Sequence, residues 1–201
     1  MMSKRLFDLV FSTIGLILLA PLFVVIALWV KVDSCGPVFF RQVRVGQYGR
    51  PFRVHKFRTM QERQEISQLQ ITVGGDSRIT HSGAFLRKYK IDELPQLIDV
   101  FVGDMSIVGP RPEVPKYIAL YPEGVRDIVL SVKPGITDRA SLEFRHENEI
   151  LAAASDPEDQ YIKKILPAKQ AYYIDYVKNR SLTKDIRIIL QTFYLLFIRR
   201  H

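Results

Sequence analysis

The sequence predicts a mainly helical α+β fold, and three observations carry that prediction. An uncharged apolar run extends from Leu9 to Val30. Strand-forming residues flank Gly46-Gln47-Tyr48-Gly49, a hairpin signal. Apolar residues then recur at helical spacing in two later stretches, one from Leu94 and one from Ile186. The 201 residues suffice for one modest body with its own core. A formal charge of +8 and a pI near 9.6 point to a polyanionic partner, a description met by nucleic acid, an anionic leaflet or nucleotide-sugar phosphates. The single Cys35 excludes an intramolecular disulfide and fits a reducing compartment.

The first element is the apolar run. About 20 such residues suffice to cross a bilayer. The run is too long for a cleavable leader, and no small-x-small cleavage site follows it. A straight span, a re-entrant hairpin and a buried core helix all fit, and hydropathy alone favours the span. Pro21, near the middle, removes one backbone hydrogen bond and is the expected place for a kink. Lys4 and Arg5 precede the run, and Lys31, Arg41 and Arg44 follow it. A positive-inside bias is therefore met if both ends stay on one side. Ser12, Thr13 and Gly15 allow close helix approach. Trp29 and Lys31 fit interfacial anchors, and equally ordinary core and surface positions.

The second element is a hairpin. Gly36-Pro37 turns the chain, Val38 to Val45 forms one strand, and Phe52 to Phe57 returns. Strand alternation predicts Lys56 and Arg58 on one face, a point charge beside a bidentate fork and so a pair of phosphate contacts. Residues 61 to 75 are polar, Gln-rich and without visible chemistry.

The third element carries the chemistry. Arg87, Lys88 and Lys90 lead into the adjacent acids Asp92 and Glu93. From there Leu94, Leu97, Ile98 and Phe101 mark one helical face that ends at Gly103. Asp92 is expected as the N-cap and Pro95 in the first turn. A carboxylate pair among cations at a helix start suits phosphate chemistry: one acid attacks phosphorus while the other holds a divalent ion. The same spacing also describes a plain N-cap with a surface Glu.

Downstream, Pro110-Arg111-Pro112 presents Arg111 on a stiff backbone. Lys133-Pro134-Gly135-Ile136-Thr137 is expected as a tight turn. The acids from Glu143 to Glu149 fit no tetrahedral or EF-hand spacing and are assigned to a polar helix face. His55, His81 and His201 receive no role. The last element runs from Ser181 to Ile198, with Ile186, Ile189, Leu190, Phe193 and Phe197 as an apolar stripe. Arg187 interrupts it, so an interfacial helix, with Lys184, Arg199 and Arg200 supplying charge, fits better than a span.

Five ordered motifs add a resemblance. Asp92-Glu93-Leu94-Pro95-Gln96, followed by Gly103-Asp104-Met105-Ser106-Ile107-Val108-Gly109-Pro110-Arg111-Pro112, resembles the signature of the bacterial sugar transferases. These are the monotopic phosphoglycosyl transferases that start polyprenyl-linked glycan assembly. His55-Lys56-Phe57-Arg58-Thr59-Met60 resembles their Lys-Phe-Arg-(Ser/Thr)-Met box. Asp76 to Thr80 and Gly83 to Lys88 resemble the lead-in to the acids, and Lys133 to Thr137 resembles a further block. Most members continue that block with Gly-Trp-Ala, whereas this chain has Asp138-Arg139-Ala140-Ser141, so no base contact is carried over.

The resemblance implies a re-entrant membrane helix over residues 1–32, bent at Pro21. Residues 33–201 then form a catalytic domain on the cytoplasmic face of the bacterial inner membrane, with a C-terminal interfacial helix. Members usually carry Ser before that proline. Here it is Ala20, which has no hydroxyl to rebond a freed carbonyl. The implied reaction moves a phosphosugar from a UDP-sugar to polyprenyl (undecaprenyl) phosphate and releases UMP through a phosphosugar–aspartyl intermediate on Asp92. Glu93 would ligate Mg²⁺, and Arg87, Arg111, Lys56 and Arg58 would stabilise the phosphate oxygens. Implied partners are UDP-sugar, polyprenyl phosphate and the anionic inner leaflet, not nucleic acid, with a homodimer compatible. A UDP-sugar hydrolase and a non-enzymatic basic membrane adaptor are the competing readings. The adaptor gives no reason for paired acids amid the cations.

Overall fold

A computed structural model describes residues 2–61 and 78–197. The Gln-rich stretch, Asp76, Ser77, Arg199, Arg200 and His201 lie outside them. The fold is mainly helical α+β. Helix α1 (Met2–Asp33) is followed by β1 (Phe39–Val45) and β2 (Pro51–Phe57), then α2 (His81–Lys88), α3 (Gln96–Val102) and β3 (Ser106–Val108). The helices α4 (Pro115–Ile118) and α5 (Glu123–Leu130), strand β4 (Gly135–Thr137), and helices α6 (Arg139–Glu143), α7 (Glu147–Ala152), α8 (Pro157–Gln160), α9 (Leu166–Lys178) and α10 (Leu182–Phe197) complete it.

The hairpin forms as the alternation predicts. β1 and β2 pair antiparallel, in a register from Phe39 opposite Phe57 to Val45 opposite Pro51, and Tyr48 takes a left-handed conformation in the connection. A second sheet was not anticipated: β3 and β4 pair in parallel, Ser106 with Gly135 and Val108 with Thr137. The expected turn at Lys133–Thr137 is therefore half strand. Glycine permits it, because a Cβ on Gly135 would stand 2.1 Å from the Gly109 nitrogen.

Helix α1 lies along the body over its whole length. Near its start, Arg5 donates to the Val100 and Phe101 carbonyls (2.6 and 2.8 Å) at the end of α3, and Asp8 accepts from the Ile107 amide (3.2 Å). Gly15 packs on Leu97. After Pro21 the partners change. Phe23 meets Phe57 edge-on, Ile26 and Val30 enter a core with Phe57 and Leu86, and Asp33 accepts from the Ser82 amide and hydroxyl (2.9 and 2.7 Å). These residues recur at three- and four-residue steps, one stripe of a helix. The backbone stays helical through Pro21, which separates the two docking regions. Trp29 is half-buried and tilted against Phe85 at 5.4 Å. The opposite face, including Leu6, Val10, Ile17, Leu18, Val24 and Leu28, is exposed. Among the described residues this is the one helix long and apolar enough to cross a membrane.

The main core gathers Val114, Tyr117, Leu151, Leu166 and Tyr173 between α4, α5, α7 and α9. Of the acids expected on a polar helix face, Glu147 instead pairs with buried Lys169 (2.5 Å). In α10 the inward stripe is Asp185, Ile188 and Thr192. Asp185 accepts from Tyr176 (2.9 Å) and pairs with Lys4 (2.8 Å), tying α10 to the start of α1. Thr192 meets Thr137 at 2.7 Å. Ile186, Leu190 and Phe193, three of the five residues of the predicted stripe, are left facing outward.

Candidate active site

The acidic pair does not cap a long helix. Helix α2 ends at Lys88, and Lys90 then adopts a left-handed backbone (φ 56°) that redirects the chain into a 3₁₀ turn over Ile91–Glu93. Pro95, without an N–H and with a ring that excludes an α-helical carbonyl four residues back, delays α3 to Gln96. The expected N-cap at Asp92 is therefore corrected: the tight turn, not a helix terminus, presents both carboxylates. α3 is only seven residues long, so the local cations dominate over any helix dipole.

Those cations converge on Glu93. Its Oε1 accepts from Lys56 Nζ (2.6 Å) and Arg111 Nη2 (2.5 Å), and its Oε2 accepts from Arg111 Nη1 (3.2 Å). Lys56 arrives from β2, and Arg111 from the Pro-flanked segment after β3. Arg44 of β1 braces that segment by donating to the Pro112 carbonyl (2.9 Å). Burial alone would push the Glu93 carboxyl up, yet the Arg111 and Lys56 charges hold it well below the usual range. Arg111 is in turn held well above its ordinary value, first by Glu93. The group is a buried, hydrogen-bonded ion cluster with one net positive charge.

Asp92 differs from its neighbour. It is 9% exposed, and its Oδ1 has no hydrogen-bond partner among the described residues. Burial first, and the Glu93 charge second, push its carboxyl up, while Lys56, Lys90 and Arg87 pull the other way. Arg87 Nη1 is likewise buried and unpartnered. A buried carboxylate oxygen on the 3₁₀ turn and a buried guanidinium nitrogen at the end of α2, whose charge acts on Asp92, are both left open. They fit a bound anion with its counter-ion better than they fit a finished core.

The same atoms bear on magnesium. Hard oxygen donors at Asp92 and Glu93 match an ion that takes one or two carboxylates and fills its shell from substrate phosphates and water. Among the described residues no three Asp, Glu, His or Cys side chains converge as a metal site, so the protein's share would be this pair. The residues fit the ion to that extent.

Arg58 is not at this site. Its Nη1 donates to the Cys35 carbonyl (2.7 Å), and its Nη2 to the Val30 and Ser34 carbonyls (3.2 and 2.6 Å) and to Ser34 Oγ (3.0 Å). The chain just past α1 leaves the Ser34 and Cys35 carbonyls without backbone donors among the described residues, and Arg58 satisfies them while sharing the Val30 carbonyl with the Ser34 amide. Gly36 makes room, since a Cβ there would stand 1.9 Å from Nη1.

Sequence reasoning passed over Arg44, Glu113 and Asp138. Glu113 is buried and accepts from Tyr161 (2.7 Å), with Arg44 at 4.0 Å. Asp138 caps α6 through the Ser141 amide (3.0 Å). Burial pushes its carboxyl up, and Arg111 is among the charges acting against that. The available signals were the alternation of β1 for Arg44 and the replacement of the family's usual Gly for Asp138.

The sequence profile of the bacterial sugar transferases matches residues 1–199. The chain belongs to that family. It is 37% identical over 203 residues to a UDP-glucose:undecaprenyl-phosphate glucose-1-phosphate transferase of Klebsiella pneumoniae, covering 100% of this chain and 41% of the relative. It is 36% identical to a UDP-N-acetylgalactosamine-undecaprenyl-phosphate N-acetylgalactosaminephosphotransferase of Aeromonas hydrophila, covering 94% of this chain and 42% of the relative. It is 38% identical to the exopolysaccharide production protein PSS of Rhizobium leguminosarum bv. phaseoli, covering 94% and 92%. The chain thus spans about two fifths of the length of the first two relatives.

Proposed function

We propose that this bacterial sugar transferase moves a phosphosugar from a UDP-sugar to polyprenyl (undecaprenyl) phosphate and releases UMP. The observation that carries the reading is the open Oδ1 of Asp92 beside the Glu93–Lys56–Arg111 cluster. An Asp92 oxygen attacks the β-phosphorus, the bond from that phosphorus to the bridging oxygen breaks, and UMP leaves with the electron pair. A polyprenyl phosphate oxygen then attacks the same phosphorus, the acyl–phosphate bond breaks, and Asp92 is regenerated as a carboxylate. The kinetics are ping-pong. Arg111 and Lys56, fixed by Glu93, and Arg87, still unpartnered at Nη1, face the oxygens on which charge accumulates. Glu93, with Asp92 alongside, would hold Mg²⁺, which when bound neutralises diphosphate charge.

The location follows from the substrates and from α1. One substrate is soluble, and the other keeps its chain in lipid. Both ends of α1 dock on the same body, and its apolar face is exposed between them. A re-entrant seat in one leaflet of the cytoplasmic membrane, with residues 33–201 on the cytoplasmic side, keeps both sets of contacts. A straight crossing would separate them by a bilayer about 30 Å thick. This supports the reading of residues 1–32 as a re-entrant segment, and Pro21, through which the helix is continuous here, is proposed as its bend because it lies between the two docking regions.

The test is Asp92→Asn with UDP-sugars labelled at the β-phosphorus, run without lipid acceptor. The unsubstituted protein should retain label and release UMP, and the variant should do neither while keeping its melting midpoint. Retained turnover in the variant would remove Asp92 from the nucleophile's role. A panel of UDP-sugars in the same assay selects the sugar.

A further inference from the structure

A second cationic site lies away from the acidic pair. Between α6 and α10 opens a cavity of about 690 Å³. Arg139, Arg145, Lys184 and Arg187 ring it, with Glu143 as the lone carboxylate and Leu142 and Ile188 among its apolar lining. Three of the four cations have local partners: Arg139 lies 3.9 Å from Glu143, Arg145 Nε donates to His146 (2.9 Å), and Lys184 pairs with Asp175 (2.8 Å). Arg187 is exposed and has no ion pair or hydrogen bond among the described residues. A cationic rim over an apolar lining does not suit a free inorganic anion, which gains nothing from Leu142 or Ile188. It suits an amphiphile.

The surroundings select the kind. Next to the rim, on the outer side of α10, Ile186, Leu190 and Phe193 form an exposed apolar ridge, and Tyr194 stands between ridge and cavity. Lys4, bridging Asp8 and Asp185, sets the first turn of α10 against the first turns of α1, the helix with the exposed apolar face. We infer that the cavity between α6 and α10 is a headgroup site for an anionic phospholipid, its phosphodiester held by Arg187 and Arg145 and its acyl chains lying along Ile186, Leu190 and Phe193. Guanidinium groups suit a phosphodiester because two parallel N–H bonds match two oxygens. The acyl chains cover the apolar surface that is exposed along the ridge. The site rests on the reading of α1 as seated in lipid. It is separate from the transfer chemistry, since none of its residues belongs to the Asp92 site.

The experiment uses the full chain in detergent, titrated with dioctanoyl phosphatidylglycerol, dioctanoyl phosphatidylcholine or inorganic phosphate, and reads the thermal midpoint. Phosphatidylglycerol should raise the midpoint by about 3–5 °C through binding to the folded state, and the other two should leave it nearly unchanged. Arg145→Gln combined with Arg187→Gln should weaken the phosphatidylglycerol response at least about tenfold in concentration, leaving UMP release without added lipid unchanged. Arg187→Glu, at an exposed position, provides a second variant with the same expectation. Equal shifts with phosphatidylcholine, an equal shift with inorganic phosphate, or an undiminished phosphatidylglycerol response in the variants would each overturn the inference. Sedimentation of the unsubstituted protein with phosphatidylcholine vesicles separates the two readings. Loss there refutes the membrane seat of α1, whereas retention with no headgroup preference refutes only the cavity.

Discussion

Two guanidinium groups, Arg111 and Arg58, share one expected role and have opposite fates. Arg111 ends on a carboxylate, Glu93, with both terminal nitrogens engaged and Asp92 next along the chain. Arg58 ends on three carbonyls and a hydroxyl at the close of α1 and is 2% exposed. A carboxylate partner leaves a cation available to rearrange toward a phosphate when the balance of charge changes. The Cys35 and Ser34 carbonyls, which have no other donor among the described residues, do not release it, because each one freed in a buried setting costs about 1–3 kcal/mol. The Val30 carbonyl is shared with the Ser34 amide. The partner, more than the residue type, decides whether a cation serves chemistry or architecture.

Substitution by lysine sharpens that contrast. Arg111→Lys keeps the charge but loses the fork to Glu93, and transfer should fall about a hundredfold, with a melting midpoint close to that of the parent. A UMP-release assay beside a thermal melt measures both. Arg58→Lys should do the reverse. One ammonium cannot reach the Cys35, Ser34 and Val30 carbonyls together, so stability should drop by about 2–4 kcal/mol, while turnover per folded molecule stays within about twofold. If Arg58→Lys lost activity at an unchanged midpoint, the division between the two arginines would be wrong.

The same contrast explains what could be read without coordinates. The hairpin was legible because alternation and a Gly-Gln-Tyr-Gly turn act within a few residues. The acidic pair and its cationic neighbours were legible because they lie together in the chain. Arg58 was misplaced because strand alternation sets a face, not a partner. The carbonyls that hold it belong to a helix end more than twenty residues upstream. The start of α3 was misjudged because Asp92 satisfies the composition of an N-cap, while Lys90's left-handed backbone and Pro95's missing donor decide the geometry. The parallel β3–β4 pair depends on a close approach of Gly109 and Gly135, which no local pattern announces. In α10 the apolar stripe was legible and lies outward at Ile186, Leu190 and Phe193, as an interfacial helix requires, whereas the polar contacts that set its facing were not. Asp185, paired with Lys4 and Tyr176, draws a polar position inward and turns Ile186, Leu190 and Phe193 out.

The smallest expected effect probes the two acids against each other. Asp92 must be ionised to attack phosphorus, and its carboxyl is pushed above its ordinary value by burial and then by the Glu93 charge. A nucleophile with a raised value works above that value and fails as the pH falls through it, so adduct formation should have an acidic limb above the ordinary aspartate range. Glu93→Gln removes the neighbouring negative charge and frees Lys56 and Arg111 to act on Asp92. Both changes favour the ionised form. The acidic limb of adduct formation should therefore move to lower pH, by less than the full displacement because burial remains, even as the rate at neutral pH declines with the loss of the carboxylate that fixes Lys56 and Arg111. Labelled-adduct yield measured from pH 4 upward checks it. A limb that stays in place would mean that the two adjacent carboxylates do not sense each other. The raised value would then belong to burial alone, and Glu93 would act only by holding Lys56 and Arg111 in position.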